Sequence, residues 1–255
     1  EDAVEDAINN EQHPEWDATL AAIEQDANYA NDFAVAFKNA EVSQINVNKA
    51  LEINLDSSIY GTFAEIGAGQ ETARQFFRAG GASGTIAKAM SAYDKDFSDA
   101  IYGIEDDRRY VTEARLRKML THEVNLMEQR ITRDKHPNKI FFTYANTVAT
   151  IDFAKKFKGH GWVGIKYQVE ATGDYNEIIL HVRFKETDAR LQQETLGKLG
   201  TNLIYGAFYK YNQPKNLLRY LYDHLDQDQI EIDTINFSGP VFENVDNRLM
   251  SLQLV

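Results

Sequence analysis

Two glycine-rich stretches contain the residue types that hold phosphate groups in many proteins. In the first, FAEIGAGQ, Gly67 and Gly69 follow a strand-like run and precede a helix-like run that starts at Glu71. Glycine lets the backbone come close to a ligand, and the free N–H groups at a helix N-terminus favour an anion. The pattern therefore predicts that Gly67, Gly69 and Gln70 bind a nucleotide or another small anion.

This match to a dinucleotide-binding fingerprint is incomplete. The third position of Gly-x-Gly-x-x-Gly is Thr72. The fingerprint also requires an acidic residue at the end of a second strand about twenty residues further on. The sequence predicts a helix over residues 85–93 instead, so neither that strand nor its acid is expected. The alternative is a structural one, in which the glycines only turn the chain.

The second glycine-rich stretch, GGASGTIAK, places Ser83, Gly84 and Thr85 before the helix predicted at 85–93. It is not a P-loop, because no Gly-Lys-Ser/Thr follows at the required spacing. We predict Ser83, Gly84 and Thr85 as a second part of the ligand site. The alternative is again structural, with residues 80–81 ending one helix in the left-handed conformation and a hydroxyl side chain capping the next.

A basic and aromatic stretch, KKFKGHGWVGIKY, suggests a third set of ligand contacts. His160 lies between two glycines, and Trp162 follows two residues later. The stretch predicts a loop that presents His160 and Trp162 to an anionic ligand, or a glycine turn that enters a strand and leaves the lysines in solvent. His181 alternates with apolar neighbours in a predicted strand, which indicates a solvent-facing or interface position.

The remaining candidates for catalysis are few. Asp94, Asp96 and Asp99 lie together and could bind a metal or transfer protons, although a solvated face or helix caps explain them equally. No metal site or catalytic residue is predicted from them. His122-Glu123 lacks the second histidine of a zincin, because Leu126 stands there, and no Gly-x-Ser-x-Gly elbow is present. Cofactors are left open.

Composition excludes several classes of function. The chain has 255 residues, no cysteine and a net charge of −12. The missing cysteines exclude disulfides, thiolate metal sites and covalently attached c-type haem. The acidic balance argues against a nucleic-acid partner. Without a signal peptide or an apolar run of about 18 residues, we expect no membrane partner and a cytoplasmic location. The oligomeric state is left open.

Hydrophobic periodicity predicts an α/β or α+β fold, a mixed sheet with packed helices preceded by a small helical N-terminal segment. Predicted strands cover 60–66, 140–148, 162–169, 177–184 and 229–237; predicted helices cover 42–51, 71–78, 85–93, 111–131, 188–211 and 214–225.

The uneven distribution of charge suggests a domain boundary. Residues 1–51 hold eleven acidic residues and two lysines, a net charge of −9, which leaves −3 for the rest. We therefore predict an acidic helical segment at 1–51 and an α/β domain at 52–255.

The N-terminal segment resembles part of a known family. The run HPEWDATLAAIEQDANYANDFAVAFKNAEVSQINVNKAL, residues 13–51, is similar to a haem-domain segment of bacterial di-haem cytochrome c peroxidases. That family attaches each haem through Cys-x-x-Cys-His, and this chain has no cysteine. The resemblance therefore implies at most a remnant of such a peroxidase without its haem sites.

Residues from about 50 to 255 resemble a second group, uncharacterised bacterial proteins longer than this chain. The matching runs are INLDSSIYGTFAEIGAGQETARQFF, SAYDKDFSDAIYG, GTNLIYGAFY and FSGPVFENVDNRLMSLQLV. Such proteins are labelled TonB-dependent receptor or nicotinate-nucleotide adenylyltransferase. The resemblance implies that the chain stops within the family's length and that a peroxidase-like leader joins it near residue 50. We expect either a ligand-binding domain or a non-catalytic interaction or scaffold module, and leave enzymatic activity open.

Overall fold

A six-stranded mixed sheet organises the chain, in the order β2-β1-β3-β4-β5-β6. The strands are β1 (Ile59–Gly67), β2 (Ile86–Ser91), β3 (Ile140–Ala149), β4 (His160–Tyr167), β5 (Asn176–Phe184) and β6 (Ile230–Ser238). Strand β1 pairs in parallel with both β2 and β3, whereas β3 to β6 pair antiparallel. The computed structural model describes residues 44–254. Predictions for residues 1–43 lie outside this range.

Seven helices accompany the sheet in the described part of the chain. Residues 44–55 form α1. The others are α2 (Glu71–Ala79), α3 (Lys95–Tyr102), α4 (Glu113–Arg130), α5 (Ala189–Tyr209), α6 (Pro214–Leu221) and α7 (Asn247–Leu252). One compact unit spans Asn46–Val255. The mixed sheet with packed helices confirms the predicted fold class.

Helices cover both faces of the sheet, and alternate strand residues serve the two cores. On the first face, Phe63 and Tyr144 pack with side chains from α2, α5 and α6, including Leu203. On the second face, Ala64 packs with side chains from α3 and α4, including Leu120. The first face of the sheet thus carries the larger core, and α4 shields part of the second.

One element prediction is wrong. Residues 86–91 form the edge strand β2 rather than part of a helix. The run IAKAMS has residues of good helix propensity, but its side chains alternate between half-buried and exposed, as a strand at a sheet edge requires. Parallel pairing with β1 outweighs the local preference of alanine, lysine and methionine. A second strand, which a dinucleotide-type loop requires and which the sequence did not predict, is therefore present.

The connections around β1 create a switch in strand order. The chain passes from β1 through α2 on the first face to β2 on one side of β1. It then returns through α3 and α4 on the second face to β3, on the other side of β1. In open α/β sheets, ligands bind outside the carboxyl ends of strands at such a switch point. The segment that leaves β1 there is residues 67–70.

Candidate functional site

Hydrogen bonds to both neighbouring strands hold the glycine loop, residues 67–70, at the carboxyl end of β1. The Ala68 amide donates to the Val148 carbonyl at 3.2 Å. The Gln70 side-chain Nε2 donates to the Gly67 carbonyl and to Ser91 Oγ, the latter at 2.7 Å. Gly67 has a positive φ of 79°, which favours glycine. The loop is thus anchored to the neighbouring strands on both sides, β3 through Val148 and β2 through Ser91.

Gly69 is buried at the centre of this loop, beside Asn146 of β3. The Asn146 Nδ2 donates to the Gly69 carbonyl at 3.1 Å. Within the described residues, the amides of Gly69 and Gln70 donate to no protein acceptor. Because buried backbone N–H groups are nearly always paired, an unpaired amide at Gly69 indicates a position for a ligand or water oxygen.

A buried polar group lies beneath the loop. Glu65 and Asn146 are register partners on β1 and β3, and Glu65 is only 3% exposed. Thr72 Oγ1, in the first turn of α2, lies 3.0 Å from the Tyr144 hydroxyl. Burial raises the pKa of Glu65 to about 8, although the Ala73 amide, by hydrogen bonding, opposes the shift. Glu65 is therefore mostly neutral at pH 7 and does not repel an anion at the loop.

The second glycine-rich stretch lies at the other end of the same strands. The Thr85 carbonyl accepts from the Gly61 amide, near the start of β1. The amides of Gly84 and Thr85 donate to the carbonyls of Gly81 and Ala82. Gly67 is six positions after Gly61 on β1, which is roughly 20 Å at about 3.3 Å per residue.

The structure therefore does not bring Ser83, Gly84 and Thr85 together with Gly67, Gly69 and Gln70. It gives the second stretch a turn geometry, because Gly81 adopts a positive φ of 72° ahead of a single 3₁₀ turn over Ala82–Gly84.

His160 and Trp162 lie on strand β4 rather than in a loop, and both contact His181 of β5. His160 Nδ1 lies 3.1 Å from His181 Nε2, and the Trp162 ring centroid lies 4.7 Å from that of His181. His181 Nδ1 in turn lies 2.6 Å from Asp233 Oδ1 of β6. Asp233, His181 and His160 thus form a hydrogen-bonded histidine chain across three strands.

A β-bulge in β6 creates this arrangement. His181 pairs with Thr234 and Val182 pairs with Ile232, so Asp233 is the extra residue between two ladder partners. The bulge directs Asp233 to the second face, where it bonds both His181 and Arg183. Burial would raise the pKa of Asp233, but the bonds from Arg183 and His181 hold it below its ordinary value. Bulges are common beside functional sites because they re-aim side chains.

Sequence reasoning missed Asp233 and Arg183, and it treated His181 only as an outward-facing residue. One signal was present. The apolar alternation of β6 runs Ile230, Ile232 and then Ile235, so one step is three residues instead of two. A break of this kind in a strand marks a bulge. The histidine chain also depends on the pairing of β4, β5 and β6, and the residues within any one of these strands do not indicate that pairing.

Two of the three neighbouring acids, Asp94 and Asp99, have hydrogen-bond partners within the protein. Asp94 caps α3 by accepting from the Phe97 amide, and Asp96 is exposed in the first turn of that helix. Asp99 accepts from Arg115 at 2.8 Å and from the Tyr110 hydroxyl at 2.7 Å. Arg115 is fully buried. Among residues 44–254, no group of three or more acidic or histidine side chains could hold a metal ion.

No family model and no curated protein sequence matches the chain. No helix among the described residues has the length and apolar character needed to cross a membrane.

Three solved structures show partial similarity to the chain. The competence/damage inducible protein CihA from Agrobacterium tumefaciens is 15% identical, with a TM-score of 0.36 over 54% of this chain and 79% of that one. A CinA superfamily protein from Enterobacter cloacae is 11% identical, with a TM-score of 0.44 over 65% and 91%. A third, from Klebsiella pneumoniae, is 12% identical, with a TM-score of 0.34 over 52% and 84%.

Proposed function

We propose that the domain binds a nucleotide or another small phosphate-bearing anion at the glycine loop, residues 67–70. The observation that carries this proposal is the pair of unpaired amides of Gly69 and Gln70, which lie at the N-terminus of α2 and at the switch in strand order. The N-terminal end of a helix carries the equivalent of about half a positive charge. An anion that accepts from both amides would satisfy them.

The surroundings of the loop suit this role. Neutral Glu65 removes a negative charge that would oppose an anion. The bond of Gln70 to Ser91 holds the loop in one conformation before any ligand arrives, so little entropy is lost on binding. Glu71 is the nearest acid in the helix, and its charge is offset by Arg74 at 3.0 Å. Ser83, Gly84 and Thr85 are not part of this site.

A matched pair of substitutions tests the amides. Gln70 has a φ of −71°, which proline also adopts, so Gln70→Pro removes the amide without straining φ. Gln70→Ala removes the same side chain and keeps the amide. The ligand is found first by a thermal-shift screen of the full chain with inorganic phosphate, ADP, a nicotinamide dinucleotide and S-adenosylmethionine. A ligand at about 100 times its Kd adds roughly 2.7 kcal/mol to stability.

We expect at least one of these probes to stabilise the wild type and Gln70→Ala, and to have at least tenfold weaker affinity for Gln70→Pro. Equal binding by both variants would show that the amides are not the site. No shift with any probe, from a sample that unfolds cooperatively, would favour the alternative of an interaction or scaffold module whose glycines only turn the chain.

A further inference from the structure

Two buried acceptor atoms beneath the glycine loop have no donor. Oε1 of Glu65 and Oδ1 of Asn146 are closed to solvent, and neither forms a hydrogen bond with any of the described residues. Buried polar atoms of this kind are nearly always paired. The two residues are register partners on the parallel strands β1 and β3, so their side chains leave the same face of the sheet side by side. One shared hydrogen bond would satisfy both atoms.

The other contacts of these two side chains hold their ends together. Asn146 Nδ2 donates to the Gly69 carbonyl at 3.1 Å, and the Glu65 carboxyl accepts from the Ala73 amide. Gln70 is helical and leads directly into α2, so the Gly69 carbonyl and the Ala73 amide face each other across one helical turn. The Asn146 amide group and the Glu65 carboxyl are therefore neighbours beneath the same turn.

The donors and acceptors at this turn favour one protonation state of Glu65. The Asn146 side chain cannot be reversed, because Oδ1 would then face the Gly69 carbonyl, which is another acceptor. An ionised Glu65 has no proton to donate, so two acceptors would stand together unpaired. A protonated Glu65 donates its O–H to Asn146 Oδ1, while its other oxygen accepts from the Ala73 amide. The neutral carboxyl thus pairs both atoms.

The surroundings of Glu65 also favour its neutral form. Burial raises its pKa to about 8, and the charge of Glu71 on α2 adds to this, although a backbone hydrogen bond opposes it. Tyr144 faces Glu65 from β3, and burial raises the pKa of this phenol, so it is neutral as well. Strand β2 presents Ser91 to Glu65, and helix α5 presents Gly200 to Tyr144, and neither carries a charge.

We propose that Glu65 is a positioning residue for the glycine loop: its protonated carboxyl donates to Asn146 Oδ1, and Asn146 in turn holds Gly69 with its amide towards the anion. Loss of this proton removes the bond and places a buried negative charge beneath the loop. Both effects weaken anion binding, so protonation of Glu65 and binding of the anion favour each other. The ligand part of this inference rests on the proposed function at residues 67–70, whereas the hydrogen bond needs no ligand.

NMR of the full chain without ligand tests the hydrogen bond. The signals followed are the ¹³C resonances of the Glu65 carboxyl, the Asn146 side-chain carbonyl and the Gly69 Cα. We expect the three to titrate together, with a midpoint near the Glu65 pKa of about 8. In Glu65→Gln the new side-chain amide also donates to Asn146, so the other two resonances should no longer change with pH in this range. The exposed Glu170→Gln is the control and should leave the titration unchanged.

The affinity for inorganic phosphate tests the effect on the loop. The second pKa of phosphate is near 6, so its charge changes little between about pH 7.5 and about pH 9.5. We expect the Kd of the wild type to rise by about fivefold or more over this range, and the Kd of Glu65→Gln to change by less than about twofold. ADP is measured in the same way as a second probe.

Two results would overturn the proposal. The first is a set of Asn146 and Gly69 resonances that do not follow the titration of Glu65, which would assign the two acceptor atoms to a buried water. The second is a phosphate Kd that rises equally in the wild type and Glu65→Gln. If neither phosphate nor ADP binds at any pH while the three resonances titrate together, the proposed function fails and the hydrogen bond stands, so the two failures are distinguishable.

Discussion

Gly69 lies so close to Asn146 that an ideal Cβ atom at residue 69 would stand 1.7 Å from Asn146 Oδ1. The Asn146 amide is fully buried and is itself fixed by its bond to the Gly69 carbonyl. No other residue type fits here unless the buried Asn146 side chain or the loop moves. The glycine is therefore required for a close approach between two strand ends, in addition to any contact with a ligand.

We predict that Gly69→Ala destabilises the domain by about 1–3 kcal/mol, the usual cost of forcing a methyl group into a packed site. Gly84→Ala is the matched control. An added Cβ at Gly84 meets nothing within 4 Å, so that variant should be unchanged or up to about 1 kcal/mol more stable. Urea unfolding measures both. Equal stability of the two variants would contradict the close packing of Gly69 on Asn146.

The glycine loop shows what local sequence can predict. The strand, the turn at Gly67 and the helix from Glu71 follow from residue types over a dozen positions. The edge strand β2 could not be predicted in the same way, because its six residues are good helix formers. Its strand conformation depends on pairing with β1, some twenty-five positions earlier, and a local pattern contains no information about that partner.

Glu65 should make stability fall as pH rises. Its pKa is about 8 in the folded protein and near 4.5 when unfolded, so the folded state binds the proton more tightly. The contribution of Glu65 to the free energy of unfolding is fully favourable below pH 4.5 and is lost between about pH 4.5 and 8. We predict that Glu65→Gln is more stable than the wild type at pH 9, by an amount on the order of 5 kcal/mol, and gains nothing at pH 4.

Chemical unfolding at a series of pH values measures this difference. The exposed Glu170→Gln serves as the control and should follow the wild-type profile at every pH. A constant difference between Glu65→Gln and the wild type from pH 4 to pH 9 would show that the carboxyl does not change its proton affinity on folding.

The glycine loop was predicted from local sequence, whereas the histidine chain could not be predicted in that way. His160, His181 and Asp233 are 21 and 52 residues apart in sequence. They meet only because β4, β5 and β6 are neighbours in one register and because β6 contains a bulge. The prediction that His160 and Trp162 contact an anionic ligand rests on local composition, which contains no information about the partners of His160 on the neighbouring strands.

Among Asp94, Asp96 and Asp99, we expect Asp99 to contribute most to the stability of the domain. Burial would raise its pKa, but hydrogen bonds from Tyr110 and Arg115 outweigh that effect and lower it. We predict that Asp99→Asn destabilises the domain more than any other single change in this acidic group, since the buried Arg115 loses its closest carboxylate and keeps Glu105 at 3.3 Å. Asp96→Asn, on the exposed side of the same helix, should change stability by less than about 0.5 kcal/mol.

The pH dependence of the same pair gives a second check. A carboxyl with a lowered pKa in the folded state stabilises above its unfolded pKa, and this contribution is lost as pH falls through the folded value. The difference in the free energy of unfolding between the wild type and Asp99→Asn should therefore become smaller in acid, below about pH 4. If this difference stays constant down to pH 2, the loss of stability in Asp99→Asn comes from packing and not from charge.

Lys88 and Glu123 join the edge strand β2 to helix α4. Glu123 is fully buried, bonds Lys88, and accepts from the Tyr102 hydroxyl at 2.9 Å. We predict that Lys88→Met destabilises by about 3 kcal/mol, near the lower end for a broken buried pair because Lys88 is about one-third exposed. Tyr102→Phe removes one hydrogen bond to the same carboxylate and should cost about 1.5–3 kcal/mol.

The double variant Lys88→Met with Glu123→Gln separates the ion pair from the strand itself. If the cost of Lys88→Met comes from an unpaired buried carboxylate, neutralising Glu123 should restore at least half of the lost stability. If β2 were held only by its backbone pairing with β1, Lys88→Met would be nearly neutral and Glu123→Gln would restore nothing. Urea unfolding of the four proteins in this cycle decides between the two accounts.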